Sequence, residues 1–309
     1  MKLIVVTPAG REKYLGVLSH HVLKSSRVHE WHLWDNCRNE QDRAYLRQLA
    51  SADSRIKIKT LPQANGSFDV IGRFFRFCDD PDAFYLRLDD DIVFLEDGFF
   101  EKYMERVLPE RGSALWYAPL IINNAICNTF IKYLSAVQIE GPLTCQAMCP
   151  FSWSHPTFPL AMHPVLIEAV RTGRLGDFRV PDREVRASRF SINAIGFFGS
   201  EIVELGDIFH PQGDEEEWLS AVLPVKLGRP GKVFGDLIAA HFSFYTQEKA
   251  LLGTTILEDY YDLAGLPAPV YKKTVVRLKD RLRPWKKNRN GTPPKYTITL
   301  SKDRADPMR

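Results

Sequence analysis

The chain opens on an unbroken apolar run, Leu3 to Val6, that stops at Thr7-Pro8-Ala9-Gly10. A short run that is apolar at every position and closed by a turn signal predicts a strand buried on both faces. Tyr14, Leu15, Leu18, Val22 and Leu23 then recur at helical spacing, which predicts a helix with one apolar face. RVHEWHLWDN, 27–36, predicts a second strand ending in Asp35 and Asn36. RAYLRQLA predicts another helix, and SRIKIKTLP a third strand on which Ile56, Ile58 and Thr60 alternate. IGRFFRFC predicts a helix and AFYLRLD a fourth strand. Strands alternating with helices imply an α/β domain around a mostly parallel sheet flanked by helices. In such sheets ligands bind beyond the carboxyl ends of the strands. Thr7, Asp35 and Asp89–Asp91 all follow strand ends, so the pattern brings them to one edge.

From 100 to 212 the pattern weakens. WYAPLIINN, CPFSWSHPTFPL and GDFRVPDREV are rich in proline and aromatics and predict short strands and long loops. FSINAIGFFG, 190–199, predicts a buried strand. GDEEEWLSAVLP, 213–224, predicts a helix whose acidic first turn complements the helix dipole. KVFGDLIAAHFSFYTQ, 232–247, is strand-like around His241, and LLGTTILEDYYDLAG predicts a helix ending near Gly265. KYTITLSKDRADPMR closes the chain as a short strand or a tail.

A length of 309 residues with 45% hydrophobic content suffices for one large domain, or one domain with appendages. The net charge of +3 is too small to imply nucleic-acid binding by the whole chain. The basic excess is local. KKTVVRLKDRLRPWKK, 272–287, mixes Lys and Arg with Val275, Val276, Leu278, Leu282 and Trp285. That mix suits a peripheral helix on an anionic membrane face, and equally a solvated helix packed by one stripe. Five cysteines, with no partner pair for Cys145 and Cys149 that would complete a zinc set, read as those of a reduced, cytoplasmic protein. The opening apolar run is too short for a secretory signal, and nothing approaches the length of a membrane span.

Candidate chemistry concentrates in two acid clusters. Asp89, Asp90 and Asp91 follow a buried strand directly, where three adjacent like charges call for water, a cation or opposite charge. Alternation lets Asp89 and Asp91 serve one divalent-metal site while Asp90 points elsewhere; a charged turn is the plainer reading. Asp214, Glu215, Glu216 and Glu217 open the later helix, beside Trp218, on which a sugar ring could stack. They are a helix cap or a source of a general base.

The first strand ending in Thr-Pro, the second ending in Trp34-Asp35-Asn36, and YLRLDDD after a helix together resemble the nucleotide-sugar-dependent glycosyltransferases of the GT-A fold, family 2 type. The resemblance covers residues 1–100 and returns at 190–247. It implies a catalytic domain over 1–265, with a nucleotide-binding half, 1–100, an acceptor half, 101–265, and a basic extension, 266–309. It further implies Mn²⁺ or Mg²⁺ held by Asp91, Asp89 and His241, although aromatic neighbours also suit His241 to a core position. Thr7, Pro8, Asp35, Asn36, Arg73, Asp89 and Asp90 become the nucleotide contacts, with Arg76 and Arg87 as rivals to Arg73 for the pyrophosphate. Asp35 and Asn36 equally suit an Asx turn. One of Asp214, Glu215 and Glu216 becomes the base, and capping positions favour Asp214 and Glu215. The implied activity is hexosyl transfer from a nucleotide-diphosphate sugar to a hydroxyl of a glycan, lipid-linked or other acceptor, inverting by preference, with no nucleic acid involved. A nucleotidyltransferase, a glycoside hydrolase and a non-catalytic carbohydrate-binding relative are the alternatives.

Overall fold

The computed structural model describes residues 1–210, 213–269 and 292–301. The segments β1 (Lys2–Ala9), β2 (Val28–Asp35), β3 (Ile56–Lys59) and β4 (Ala83–Leu88) form the parallel half of a nine-stranded sheet. Helices α1 (Glu12–Lys24) and α2 (Glu40–Ala52) connect the first three strands. Tyr14, Leu15, Leu18 and Val22 of α1 are buried, as the spacing requires. β1 runs past Val6 through Thr7, Pro8 and Ala9, in register with β2 as far as Asp35. IGRFFRF, 71–77, lies within a 3-10 helix, Phe68–Phe77, which Cys78 caps and whose Phe74 and Phe75 pack against Trp34.

A turn at Asp89–Asp91, the plainer reading of the three acids, joins β4 to the buried strand β5 (Ile92–Leu95). The sheet order is β3-β2-β1-β4-β9-β6-β10-β5, and β8 (Arg183–Val185) pairs with β10 (Gly231–His241). β9 (Ala194–Phe198) inserts antiparallel between β4 and β6 (Trp116–Ile122), and β10 runs parallel to β6. Six strands, β1, β2, β3, β4, β6 and β10, therefore point one way and three the other, giving a mixed, mostly parallel sheet. Gly196 makes the β9 insertion possible, since a Cβ there would fall 2.4 Å from the Phe84 ring.

The middle of the chain is more regular than its composition predicts. Helices α3 (Phe99–Val107), α4 (Ala125–Leu134) and the 15-residue α5 (Thr157–Arg171) occupy a stretch expected to hold short strands and long loops. α5 carries Pro159 near its start and Pro164 inside, which hides it from a propensity reading. Pro119 sits within β6, and β10 loops out three residues, 235–237, beside it before pairing resumes at Ile238. A proline that cannot donate to the ladder is tolerated where the partner strand is irregular.

The segment 292–301 is part of the fold. β11 (Thr297–Thr299) pairs antiparallel with β7 (Gln138–Glu140). Tyr296 packs edge-on to Phe158 and donates through its hydroxyl to the Pro142 and Phe151 carbonyls at 2.9 and 3.0 Å. The expected extension from 266 onward thus includes residues docked on the domain. The basic stretch that suggested membrane contact lies outside the described residues. No helix among the described residues is long and apolar enough to cross a membrane.

Candidate active site

The carboxyl ends of β1 and β4 meet the exit of β10 at the aspartate turn. One ligand atom each from Asp89, Asp91 and His241 lies within 4.8 Å of the others. The turn is held by the backbone: Asp89 N–H donates to Asn193 O at 2.8 Å, and Phe242 N–H to Asp91 O at 2.9 Å. The Asn193 side chain donates to Asp89 Oδ2 at 3.1 Å. His241 Nδ1 faces the Asn123 carbonyl at 3.4 Å, and Nε2 faces Asp91 Oδ2 at 3.4 Å. With Nδ1 carrying the proton, Nε2 offers its lone pair to the acid side, as a metal-ligating imidazole does. Asp91 is buried, and its Oδ1 has no hydrogen-bond partner. A buried carboxylate oxygen left unpaired is costly and fits a cation ligand. Two carboxylates and an imidazole form a donor set that fits Mn²⁺ better than the all-oxygen surroundings Mg²⁺ prefers.

Asp90 points away from this group, as alternation predicts. It accepts from Gly10 N–H at 3.1 Å and from Arg11 Nε at 3.0 Å. Arg11 also reaches Asp91 Oδ2 at 3.1 Å, and its guanidinium lies over the Tyr14 ring. Burial works to raise the Asp91 pKa, but Arg11 and then His241 outweigh it and hold the carboxyl below its ordinary range. Burial also works to lower His241, and Asp91 outweighs it and raises the imidazole. Sequence reasoning missed Arg11, although it follows Gly10 directly in the first strand-end loop. It also missed Asn193, whose place beside Asp89 depends on the antiparallel insertion of β9.

The second acid cluster separates into three roles. Asp214 accepts from Glu217 N–H at 3.0 Å as the N-cap of the turn Glu215–Glu217 and pairs with Arg189 at 2.9 Å. Its side chain is 47% exposed, and its carboxylate is engaged by the cap and by Arg189. Glu216 pairs with Arg189 Nε at 2.6 Å. Glu215, 10% exposed, instead lies 3.2 Å from Arg87 Nε. Arg87 is buried, pairs with Asp89 Oδ1 at 2.9 Å and also donates to the Ile192 carbonyl. One guanidinium therefore bridges the two acid clusters, and Arg87, a rival for the pyrophosphate contact, is engaged by carboxylates on both sides. Burial pushes the Glu215 pKa up to about 7, against the opposing pull of Arg87.

The other expected nucleotide contacts differ in availability. Thr7 is buried, and its hydroxyl accepts from Trp31 Nε1 at 3.0 Å, so that side chain serves the core. Pro8, half-buried, extends β1 beside it. Asp35 accepts from Cys37 N–H at 3.1 Å and pairs with Arg43 at 3.0 Å, an Asx turn in geometry. The Asn36 amide accepts from Gly66 N–H and donates to Ser67 O, both at 2.9 Å, tying the loop after β3 to the end of β2. Arg73 and Arg76 line a cleft of about 430 Å³ with Leu61, Gln63, Asp207 and His210; none of Asp89, Asp91 and His241 lines it.

No family model matches the chain, and no curated protein does. Over about 85% of its length it is similar in structure to GT-A glycosyltransferases. A mannosyltransferase of Pyrobaculum calidifontis, solved with GDP-mannose and Mn²⁺, is 10% identical with a TM-score of 0.49; the match covers 85% of this chain and 64% of that one, under two thirds of its length. Glucosyl-3-phosphoglycerate synthase of Mycobacterium tuberculosis, solved with Mn²⁺, UDP and glucosyl-3-phosphoglycerate, is 13% identical with a TM-score of 0.43 over 86% and 81% of the two chains. A 4-diphosphocytidyl-2C-methyl-D-erythritol synthase of Anaerococcus prevotii is 14% identical with a TM-score of 0.41 over 85% and 96%. Likenesses at this level concern the chain path, and the chemistry rests on the side chains above.

Proposed function

We propose that the chain is a metal-dependent glycosyltransferase that moves a hexosyl group from a nucleotide-diphosphate sugar to an acceptor hydroxyl with inversion. The observation that carries the reading is the pairing of two acid sites at one strand-end edge: Asp89, Asp91 and His241 within 4.8 Å, and Glu215 joined to Asp89 through Arg87. Asp89, Asp91 and His241 would hold Mn²⁺, which when bound supplies positive charge to the departing diphosphate. Arg11 adds a fixed cation on the same side. Glu215 Oε accepts the proton of the acceptor hydroxyl while the new O–C1 bond forms. The C1–O bond to the diphosphate breaks, and its electron pair leaves with the nucleotide. A base poised near neutrality suits that task, and burial places Glu215 there. Asp35, Asn36 and the loop that Asn36 ties down form the nucleoside end of the donor site.

Arg11 favours a second reading. A cation in the first loop, aimed at the acid pair, also suits nucleotidyl transfer, which releases pyrophosphate. One experiment separates the two. The protein is incubated with a panel of nucleotide-diphosphate sugars and, separately, with nucleoside triphosphates and sugar 1-phosphates, with and without Mn²⁺, and the products are resolved by mass spectrometry. Mn²⁺-dependent release of nucleoside diphosphate supports glycosyl transfer. Pyrophosphate released from nucleoside triphosphate and sugar phosphate would support the second reading instead.

A further inference from the structure

Trp218, the ring the sequence offered for stacking a sugar, is half-buried, with Lys226 Nζ 4.6 Å from its ring centroid on one face. The exposed aromatic surface near the acid sites is elsewhere, on the chain leaving β10. Tyr245 is 78% exposed, four residues past His241. It meets the half-buried Trp153 edge-to-face, with centroids 5.5 Å apart at 80°. Phe244, buried beneath, touches Trp153 at 5.9 Å and the His241 ring at 4.8 Å. The pair is thus continuous with the metal-site imidazole through one ring.

We propose that Trp153 and Tyr245 form the platform on which the acceptor's sugar ring stacks, an acceptor subsite that rests on the glycosyltransferase reading. The platform is rigid. Gln247 is fully buried, and its Oε1 accepts from Asn123 Nδ2 at 3.1 Å and Phe244 N–H at 3.2 Å. Its Nε2 donates to the Ser152 carbonyl and, at 3.3 Å, to that of His155. Thr246 Oγ1 donates to the Trp153 carbonyl at 2.9 Å. One buried amide and one hydroxyl therefore lock the Trp153 loop to the Tyr245 loop before any ligand arrives, which lowers the ordering cost of binding. An aromatic face carries negative charge density that meets the C–H face of a pyranose, and Tyr and Trp add polar tips for its hydroxyl rim. A lipid surface would want a broader continuous apolar patch than two rings, one of them half-buried.

The test uses the full chain on an array of defined oligosaccharides, with Mn²⁺ and UDP or GDP present. Wild type is expected to be retained on a subset of the glycans. Tyr245→Ala is expected to weaken that retention by about tenfold, and Tyr245→Phe, which keeps the ring, to preserve it. Equal retention of Tyr245→Ala and wild type overturns the proposal, as does a wild type retained by no glycan. Vesicles of phosphatidylcholine and phosphatidylglycerol serve as the second arm; Tyr245-dependent vesicle binding in place of glycan retention also overturns it. Mn²⁺-dependent stabilisation by UDP or GDP is read in parallel by thermal shift. Its absence alongside Tyr245-dependent glycan retention would remove the glycosyltransferase reading and leave a carbohydrate site standing.

Discussion

Arg87 stands between two carboxylates that the account gives different tasks. Asp89 must stay ionised to hold a cation, and Glu215 must give up its proton near neutral pH to act as a base. Burial raises Glu215 to about 7, so its ordinary value of 4.5 applies only to the unfolded chain. Between these values the unfolded chain binds fewer protons than the folded one. The contribution of Glu215 to folding stability therefore falls as pH rises from about 4.5 to about 7, and is level above. Glu215→Gln is expected to flatten that slope in thermal melts across pH 4 to 8; an unchanged slope would contradict the burial argument. In turnover, the same variant is expected to lose about two to four orders of magnitude in kcat while keeping nucleotide binding. Asp214→Asn and Glu216→Gln, whose acids are engaged by Arg189 and the helix cap, are expected to stay within about tenfold of wild type. Equal kcat for Glu215→Gln and wild type would remove Glu215 as the base. At the metal side, Asp91→Asn is expected to abolish Mn²⁺-dependent nucleoside-diphosphate binding, read by calorimetry. Asp90→Asn is expected to weaken it less, since Asp90 faces Gly10 and Arg11.

At the scale of elements, the first half of the sheet was legible because each strand announces itself. β1 and β4 are apolar runs buried on both faces, and α1 shows its apolar stripe. The Asp89–Asp91 turn was legible for the same reason, since it follows such a run; His241 was named through the resemblance, its apolar neighbours equally suiting a core position. What stayed hidden was set by long-range pairing. Asn193 reaches Asp89 only because β9 runs backwards between β4 and β6, and no local pattern states a strand's direction. Choosing Glu215 over Asp214 depended on which acid turns toward Arg87, a detail of one helical turn. α5 was masked by its prolines; the short strand β11 was one reading of KYTITL, and only its pairing with β7 was hidden. The docking of that last strand makes a prediction of its own. Tyr296→Ala removes the edge contact with Phe158 and two hydrogen bonds, and is expected to cost roughly 1–3 kcal/mol in urea unfolding. An unchanged midpoint would show that the 292–301 segment adds nothing to the stability of the domain.

At the scale of the whole molecule, one sheet carries the loops after β2 and β3 toward one end, the aspartate turn after β4 and the Trp153–Tyr245 pair beyond β10. Under the proposed function that order would be donor, reacting centre and acceptor. The central claim is that Asp89, Asp91 and His241 hold a divalent ion on a nucleoside diphosphate. Pulsed EPR of Mn²⁺ with the full chain and UDP or GDP tests it most directly. The account predicts a protein-bound Mn²⁺ with ³¹P coupling from the diphosphate and ¹⁴N coupling from one imidazole, the latter lost in His241→Ala and all binding lost in Asp91→Asn. Mn²⁺ that binds with no ¹⁴N coupling in wild type, or that binds equally in Asp91→Asn, would contradict it.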